Sequence, residues 1–239
     1  MRIRTAALTD IGKVREENED RFLCDEQLQL YAVADGIGGL AGGAQAAEEA
    51  VTQLTALTRR LATAEDWDFQ SLFLTINQRV ASLGQIIDDT FGIGTTLTVA
   101  RLHGGRLQLA HVGDSSCYLL RNETLEKLTL DHTVENELKA RHGRGAALLL
   151  NPRTRNALTR CIGQPKPPLA DQLDRPLQAG DRLLLCSDGI TRFIEDRELA
   201  HLLVTAEEPA AGLRKIIDLA SQRGGHDNAT GVLIFVDAV

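Results

Sequence analysis

The chain has 239 residues, 43% of them hydrophobic and 25% charged, which is enough to enclose the core of one large domain. A formal net charge of −7 leaves no basic footprint for nucleic acid or an anionic membrane. No run reaches the roughly 20 apolar residues of a membrane span, no signal-type stretch opens the chain, and the cytoplasm is the expected location.

Short apolar or alternating runs at 3–9, 19–24 and 28–34 predict strands, the last punctuated by Asp35-Gly36. Helical spacing predicts a helix over 43–62, through Ala46, Ala50, Leu54, Leu57 and Leu61. It predicts a second over 68–88, through Leu72, Ile76, Val80 and Leu83. Strand signals resume at 95–102, 106–113 and 116–121, the first two joined by a hairpin-like turn at His103-Gly104-Gly105. A helix over 132–142 follows, with His132 as its candidate cap. The segment 143–168 then lacks periodicity and reads as an irregular surface excursion. A strand at 181–186, helices at 195–204 and 207–222 and a closing strand at 229–237 complete the chain. Meandering strands with helices grouped in pairs predict an α+β fold of packed antiparallel sheets under outer helices, with the strand order left open. Cys24, Cys117, Cys161 and Cys186 are scattered and read as reduced thiols, not as disulfides or a zinc site.

Three apolar runs end on an aspartate, at Asp35, Asp114 and Asp188, and a fourth aspartate, Asp227, immediately precedes the last strand. A single Asp-Gly or Asp-Asn is usually a turn. Four at strand ends can converge on one sheet edge, where carboxylates repel one another unless a cation lies between them. Mg²⁺ or Mn²⁺ suits such oxygen donors. Two such ions about 3.5–4 Å apart would acidify a water for displacement at phosphorus. Gly36, without a Cβ, allows its carbonyl to approach a cation. In the charged stretch Gly12–Asp20, otherwise a solvated loop, Arg15 is a fork for phosphate oxygens. Glu19 and Asp20 would accept hydrogen bonds from waters on the metals.

Seven segments occur in one order: TDIGKVREENEDRF (9–22), AVADGIGG (32–39), GTTLTVA (94–100), HVGDS (111–115), LTRCIG (158–163), LLLCSDG (183–189) and GHDNATGV (225–232). In order and spacing the set resembles the metal-dependent serine/threonine protein phosphatases of type 2C, the PPM family, in their compact bacterial form. The resemblance implies a four-layer α-β-β-α sandwich, one domain over 1–239, and hydrolysis of phosphoserine and phosphothreonine in proteins, opposing a bacterial serine/threonine kinase. It implies two core ions, Mn²⁺ or Mg²⁺, with Asp35 bridging them, the Gly36 carbonyl on one, and Asp188 and Asp227 on the other. Asp114 with Asp188 matches a third, weaker metal position, Arg15 the phosphate-binding arginine, and Glu19 with Asp20 the water-holding acids. The 143–168 segment includes the flap beside the cleft.

Ile37 and Leu40 replace a methionine and a histidine common in bacterial relatives, and animal relatives place a histidine directly after Asp-Gly. Protonation of the leaving alkoxide is thereby left to a water on a metal. Ser116 stands in place of an arginine, and Asn151, before Pro152, in place of a flap histidine; both bear on substrate preference.

Three other readings compete. Cys186-Ser187-Asp188-Gly189-Ile190-Thr191-Arg192 fits the C-x-x-G-x-x-R skeleton of cysteine-dependent phosphatases, but Asp188 would put a negative charge in a dianion cradle. AVADGIGGLAGG resembles a dinucleotide fingerprint but lacks the ribose-binding acid near 54–58. A pseudophosphatase would be expected to have lost metal aspartates, which are retained here. His111 reads as a core residue and His226 as loop surface. A second role for His132, as proton donor, stays open.

Overall fold

The computed structural model describes residues 1–38, 42–61, 66–143, 145, 150–151 and 154–239. Leu40, Pro152 and part of the 143–168 segment lie outside the described residues.

Two five-stranded antiparallel sheets form the centre. The first runs in the order β1 (Arg2–Asp10), β10 (Ala229–Ala238), β9 (Arg182–Cys186), β6 (Ser116–Arg121), β7 (Thr124–Lys127). The second runs β2 (Asp20–Asp25), β3 (Leu30–Asp35), β4 (Leu97–His103), β5 (Arg106–Val112), β8 (Asp171–Pro176). Helices α1 (Gly43–Arg60) and α2 (Phe69–Ile87) pack on the second sheet through Ala46, Ala50, Leu54, Phe73, Ile76 and Val80. Helices α4 (Asp188–Thr191), α5 (Asp196–Thr205) and α6 (Pro209–Gln222) pack on the first through Ile190, Leu199, Leu203, Leu213 and Ile217. The expected α-β-β-α layering is therefore present.

Alternation of side chains along the strands explains why the central runs are apolar without a break. In β9, Leu183 and Leu185 face the other sheet, while Leu184 and Cys186 face the helices. Tyr31 and Val33 of β3 meet them between the sheets, and Ala32 and Ala34 turn to α1 and α2. Each fully buried leucine contributes on the order of 2 kcal/mol.

Predicted ends agree with the observed ones to within two residues for the strands and helices named above, and the 104–105 turn takes positive φ at both glycines (56° and 73°). Three short elements, β7, β8 and α4, were not anticipated. Two expectations are corrected. His132 does not cap α3 (Val134–His142): Thr133 does, its hydroxyl accepting from the Asn136 N–H. The 143–168 segment is not wholly a surface excursion either. Ile162 is fully buried and exchanges backbone hydrogen bonds with Thr95, and Asn77 clamps Gly163 and Gln164.

Candidate active site

Antiparallel pairing brings the end of β9 beside the start of β10, while β3 and β5 end at the same edge of the facing sheet. Asp35, Gly36, Asp114, Asp188 and Asp227 consequently line one cleft of about 430 Å³, together with Arg15, Ile37 and Thr96. Asn156, Ala157, Leu158 and Cys161, from the 143–168 segment, line the same cleft. A cavity of similar volume, about 440 Å³, beside β5 and β8 carries one carboxylate, Asp171, among mostly apolar side chains and offers no comparable convergence.

Local hydrogen bonds fix the acids. The Asp35 N–H donates to Thr96 Oγ1 at 2.9 Å, and the Gly36 N–H donates to the Glu19 carbonyl at 3.1 Å. A Cβ on Gly36 would run into the Gly43 carbonyl and come within 2.9 Å of the Glu19 carbonyl, so only glycine fits this approach. Ser187 Oγ donates to Asp20 Oδ2 at 2.7 Å and accepts from the Thr230 N–H. Asn228 accepts from the Glu19 N–H and donates to the Ile11 and Glu17 carbonyls, tying the Arg15 loop to the strand that follows Asp227.

Charge is concentrated here. Burial holds the Asp35 carboxyl well above its usual range, reinforced by Asp20, Asp188, Asp114 and Asp227. Asp188 is also held well above it, first by burial, then by Asp114, against the opposing pull of Arg192. Burial pushes Asp114 up to about 6, with Arg192 opposing. Asp20 is likewise pushed up to about 6 by burial, and among the described residues its buried Oδ1 has no hydrogen-bond donor. Two guanidinium groups answer these acids. Arg15 pairs with Glu19 at 3.1 Å and Asp227 at 2.8 Å, and Arg192 pairs with Asp188 and with Asp227 at 3.3 Å. Among the described residues no three His, Cys, Asp or Glu side chains already close on one point at metal-ligating distance. The arginines hold Asp188 and Asp227 in ion pairs instead.

All eight residues singled out from the sequence thus meet here: Arg15, Asp35, Gly36, Asp114, Asp188 and Asp227 on the cleft wall, Glu19 and Asp20 behind it. Ser187, Asn228, Thr96 and Arg192 were not singled out for these roles, although each stands in or beside a segment already quoted. Cys186 is fully buried and its thiol is pushed up to about 12 by burial, so it cannot serve as a thiolate nucleophile. His132 does not line the cleft. Its Nδ1 accepts from the Gly113 N–H at 3.1 Å, and its Nε2 lies 3.1 Å from Asp171 on the far side. His111 is buried, its Nδ1 paired with Thr98 Oγ1 at 2.9 Å, and His226 is exposed.

The protein phosphatase 2C family pattern matches residues 7–229. The serine/threonine phosphatase Stp of Listeria innocua is 32% identical over 234 residues, 95% of this chain and 93% of the relative. The structure of the serine/threonine phosphatase of S. agalactiae superposes with a TM-score of 0.88 at 32% identity, covering 98% of this chain and all of that one. That of the catalytic domain of the phosphatase PstP in complex with two manganese ions superposes with a TM-score of 0.82 at 32% identity, covering 98% and 97%. With sequence, layering and cleft in agreement over nearly its whole length, the chain belongs to the protein phosphatase 2C family and is a metal-dependent serine/threonine protein phosphatase.

Proposed function

We propose that residues 1–239 form one catalytic domain that hydrolyses phosphoserine and phosphothreonine in proteins, with two Mn²⁺ or Mg²⁺ ions held by Asp35, the Gly36 carbonyl, Asp188 and Asp227. The observation that carries this is the convergence of Asp35, Asp114, Asp188 and Asp227, from four separate chain segments, on one cleft. The donor set suits hard divalent cations, being all oxygen. Burial first, and then the neighbouring aspartates, hold the Asp35 and Asp188 carboxyls well above their usual range, charge that a bound cation would offset, and among the described residues nothing donates to the buried Asp20 Oδ1. Bound there, the ions supply a water acidified for attack on phosphorus and neutralise charge on the phosphoryl oxygens.

The protein's own groups do the rest. Arg15 exchanges Glu19 and Asp227 for two phosphate oxygens, a bidentate geometry that a lysine cannot match. Glu19, released from Arg15, and Asp20, oriented by Ser187, accept hydrogen bonds from water in the cleft. Ile37 cannot donate a proton and His132 does not line the cleft, so the leaving alkoxide takes its proton from water there. Asn156, Ala157 and Leu158 act as the wall of a flap that selects the residues flanking the phosphate. Asp114, beside Asp188, is the acid that matches the third, weaker position of bacterial relatives, and Arg192 stands at that corner here. The substrates are phosphoproteins of the cytoplasm, and the activity opposed is that of a serine/threonine kinase; no helix among the described residues is long and apolar enough to cross a membrane.

Asp188→Asn tests the assignment. It is expected to lower kcat toward a phosphothreonine peptide in Mn²⁺ by at least about a hundredfold, since it removes an ion-holding carboxylate. Equal rates in the two proteins would defeat the assignment of Asp188.

A further inference from the structure

Six carboxylates, those of Glu19, Asp20, Asp35, Asp114, Asp188 and Asp227, meet at the cleft or directly behind it. Two guanidinium groups, Arg15 and Arg192, are paired among them. With every acid ionised, four negative charges remain, the charge of two divalent cations. Asp131 and Lys127, which also act on Asp114 from the adjoining recess, are paired with each other at 2.7 Å and leave that sum unchanged, so a third ion would overshoot it.

Arg192 is the group whose position matters. It closes the short helix that Asp188 opens, so its side chain returns onto Asp188 four residues back and reaches across to Asp227. It lines the main cleft and also an adjoining polar recess of about 380 Å³, and Asp114, Asp188 and Asn156 line both spaces with it. A cation tethered by the chain therefore shares the corner between Asp114 and Asp188. Its electrostatic partners include both acids as well as Asp227 and Asp35. A divalent ion entering that corner would have to displace the guanidinium from Asp188 or sit against a like charge.

We infer that Arg192 is a built-in cation for the Asp114–Asp188 corner, so that the protein binds two divalent ions and excludes a third. The inference rests on the two-ion assignment proposed above. Arg192 is in this role a positioning residue: it acts through Asp188 and Asp227, and no contact with the reacting phosphate is required of it.

Equilibrium dialysis against Mn²⁺ followed by metal analysis tests it, with a readout independent of turnover. Wild type is expected to saturate at two ions per chain and Arg192→Ala at three. The double variant Arg192→Ala/Asp114→Asn should return to two, because the third position has lost an acid. Three ions on wild type would overturn the inference, and that count stands even where Arg192→Ala fails to fold. A folded Arg192→Ala that still holds two would overturn it as well. Wild type that takes up no Mn²⁺ would instead defeat the two-ion assignment itself.

Discussion

Arg15 illustrates how one side chain is prepared for two partners. Its guanidinium already bridges Glu19 and Asp227, and Gly38 makes room for it: a Cβ there would stand 2.7 Å from its nitrogen. A planar fork that satisfies two carboxylates is shaped to satisfy two phosphate oxygens. Arg15→Ala is therefore expected to raise KM for a phosphopeptide roughly tenfold, while Mn²⁺ stoichiometry stays at the wild-type value. Loss of metal uptake in that variant would show that Arg15 orders the carboxylates and does not serve the phosphate. The aspartates were legible in the sequence because each stands where an apolar run stops or starts, a signal carried by the neighbouring residues. Ser187 and Asn228 gave no such signal. Ser187 acts on Asp20 from 167 positions away and Asn228 on Glu19 from 209, and nothing periodic marks a hydrogen bond that only the folded chain creates. Arg192 was visible as the last residue of a cysteine-phosphatase skeleton. Its pairing with Asp188 follows from the short helix that separates them by four residues, whereas its pairing with Asp227 became apparent only once β9 and β10 were paired.

The elements that escaped prediction share a physical cause. β8, Asp171-Gln172-Leu173-Asp174-Arg175-Pro176, alternates half-buried and exposed positions and carries three charges and a proline, as befits the edge strand of its sheet. β7 is four residues long, also at an edge, and follows a turn with positive φ at Asn122 and Glu123 (50° and 61°), where no glycine announces it. Central strands and long helices, by contrast, were readable because burial on one face or both writes a regular apolar pattern. α6 is the clearest case, with Leu213, Ile216, Ile217 and Ala220 buried against the first sheet. Ile217→Ala removes three carbons from a fully buried site and is expected to destabilise the fold by about 3 kcal/mol. That corresponds to a Tm lower by roughly 10 °C in a protein of this length. Because α6 lies on the outer layer, the kcat of the protein that remains folded should be unchanged; a parallel loss of kcat and Tm would mean that the helix layer also sets the cleft geometry.

At the scale of the whole molecule, the sandwich encloses acids whose folded state prefers protons. Asp20 and Asp114 are pushed up to about 6, and Asp35 and Asp188 are held well above the usual carboxylate range, in each case with burial as the leading cause. A group whose folded pKa lies above its unfolded one contributes its full stability below the unfolded value and loses it as pH rises through the folded one. For Asp20, the loss by pH 7 is on the order of 3 kcal/mol. In EDTA, the Tm should therefore fall as pH rises from about 4 through 6, with the raised carboxyls of Asp35 and Asp188 acting in the same direction. The pairs of Asp171 with buried His132 and with Arg160, and of Glu126 with Arg175 on the surface, pull the other way at acid pH, because their carboxyls sit below the usual range, and they set the lower limit of that window. Ions that bind the ionised carboxylates invert the slope, since ligand bound to the folded state alone stabilises it by mass action. Adding Mn²⁺ at pH 7 should raise the Tm by more than adding it at pH 5, where protons already occupy the acids. Scanning calorimetry over this range, with and without Mn²⁺, measures both slopes, and a metal-free Tm that stays level between pH 4 and 7 would mean that the cleft acids are not held in the charge-starved state described above.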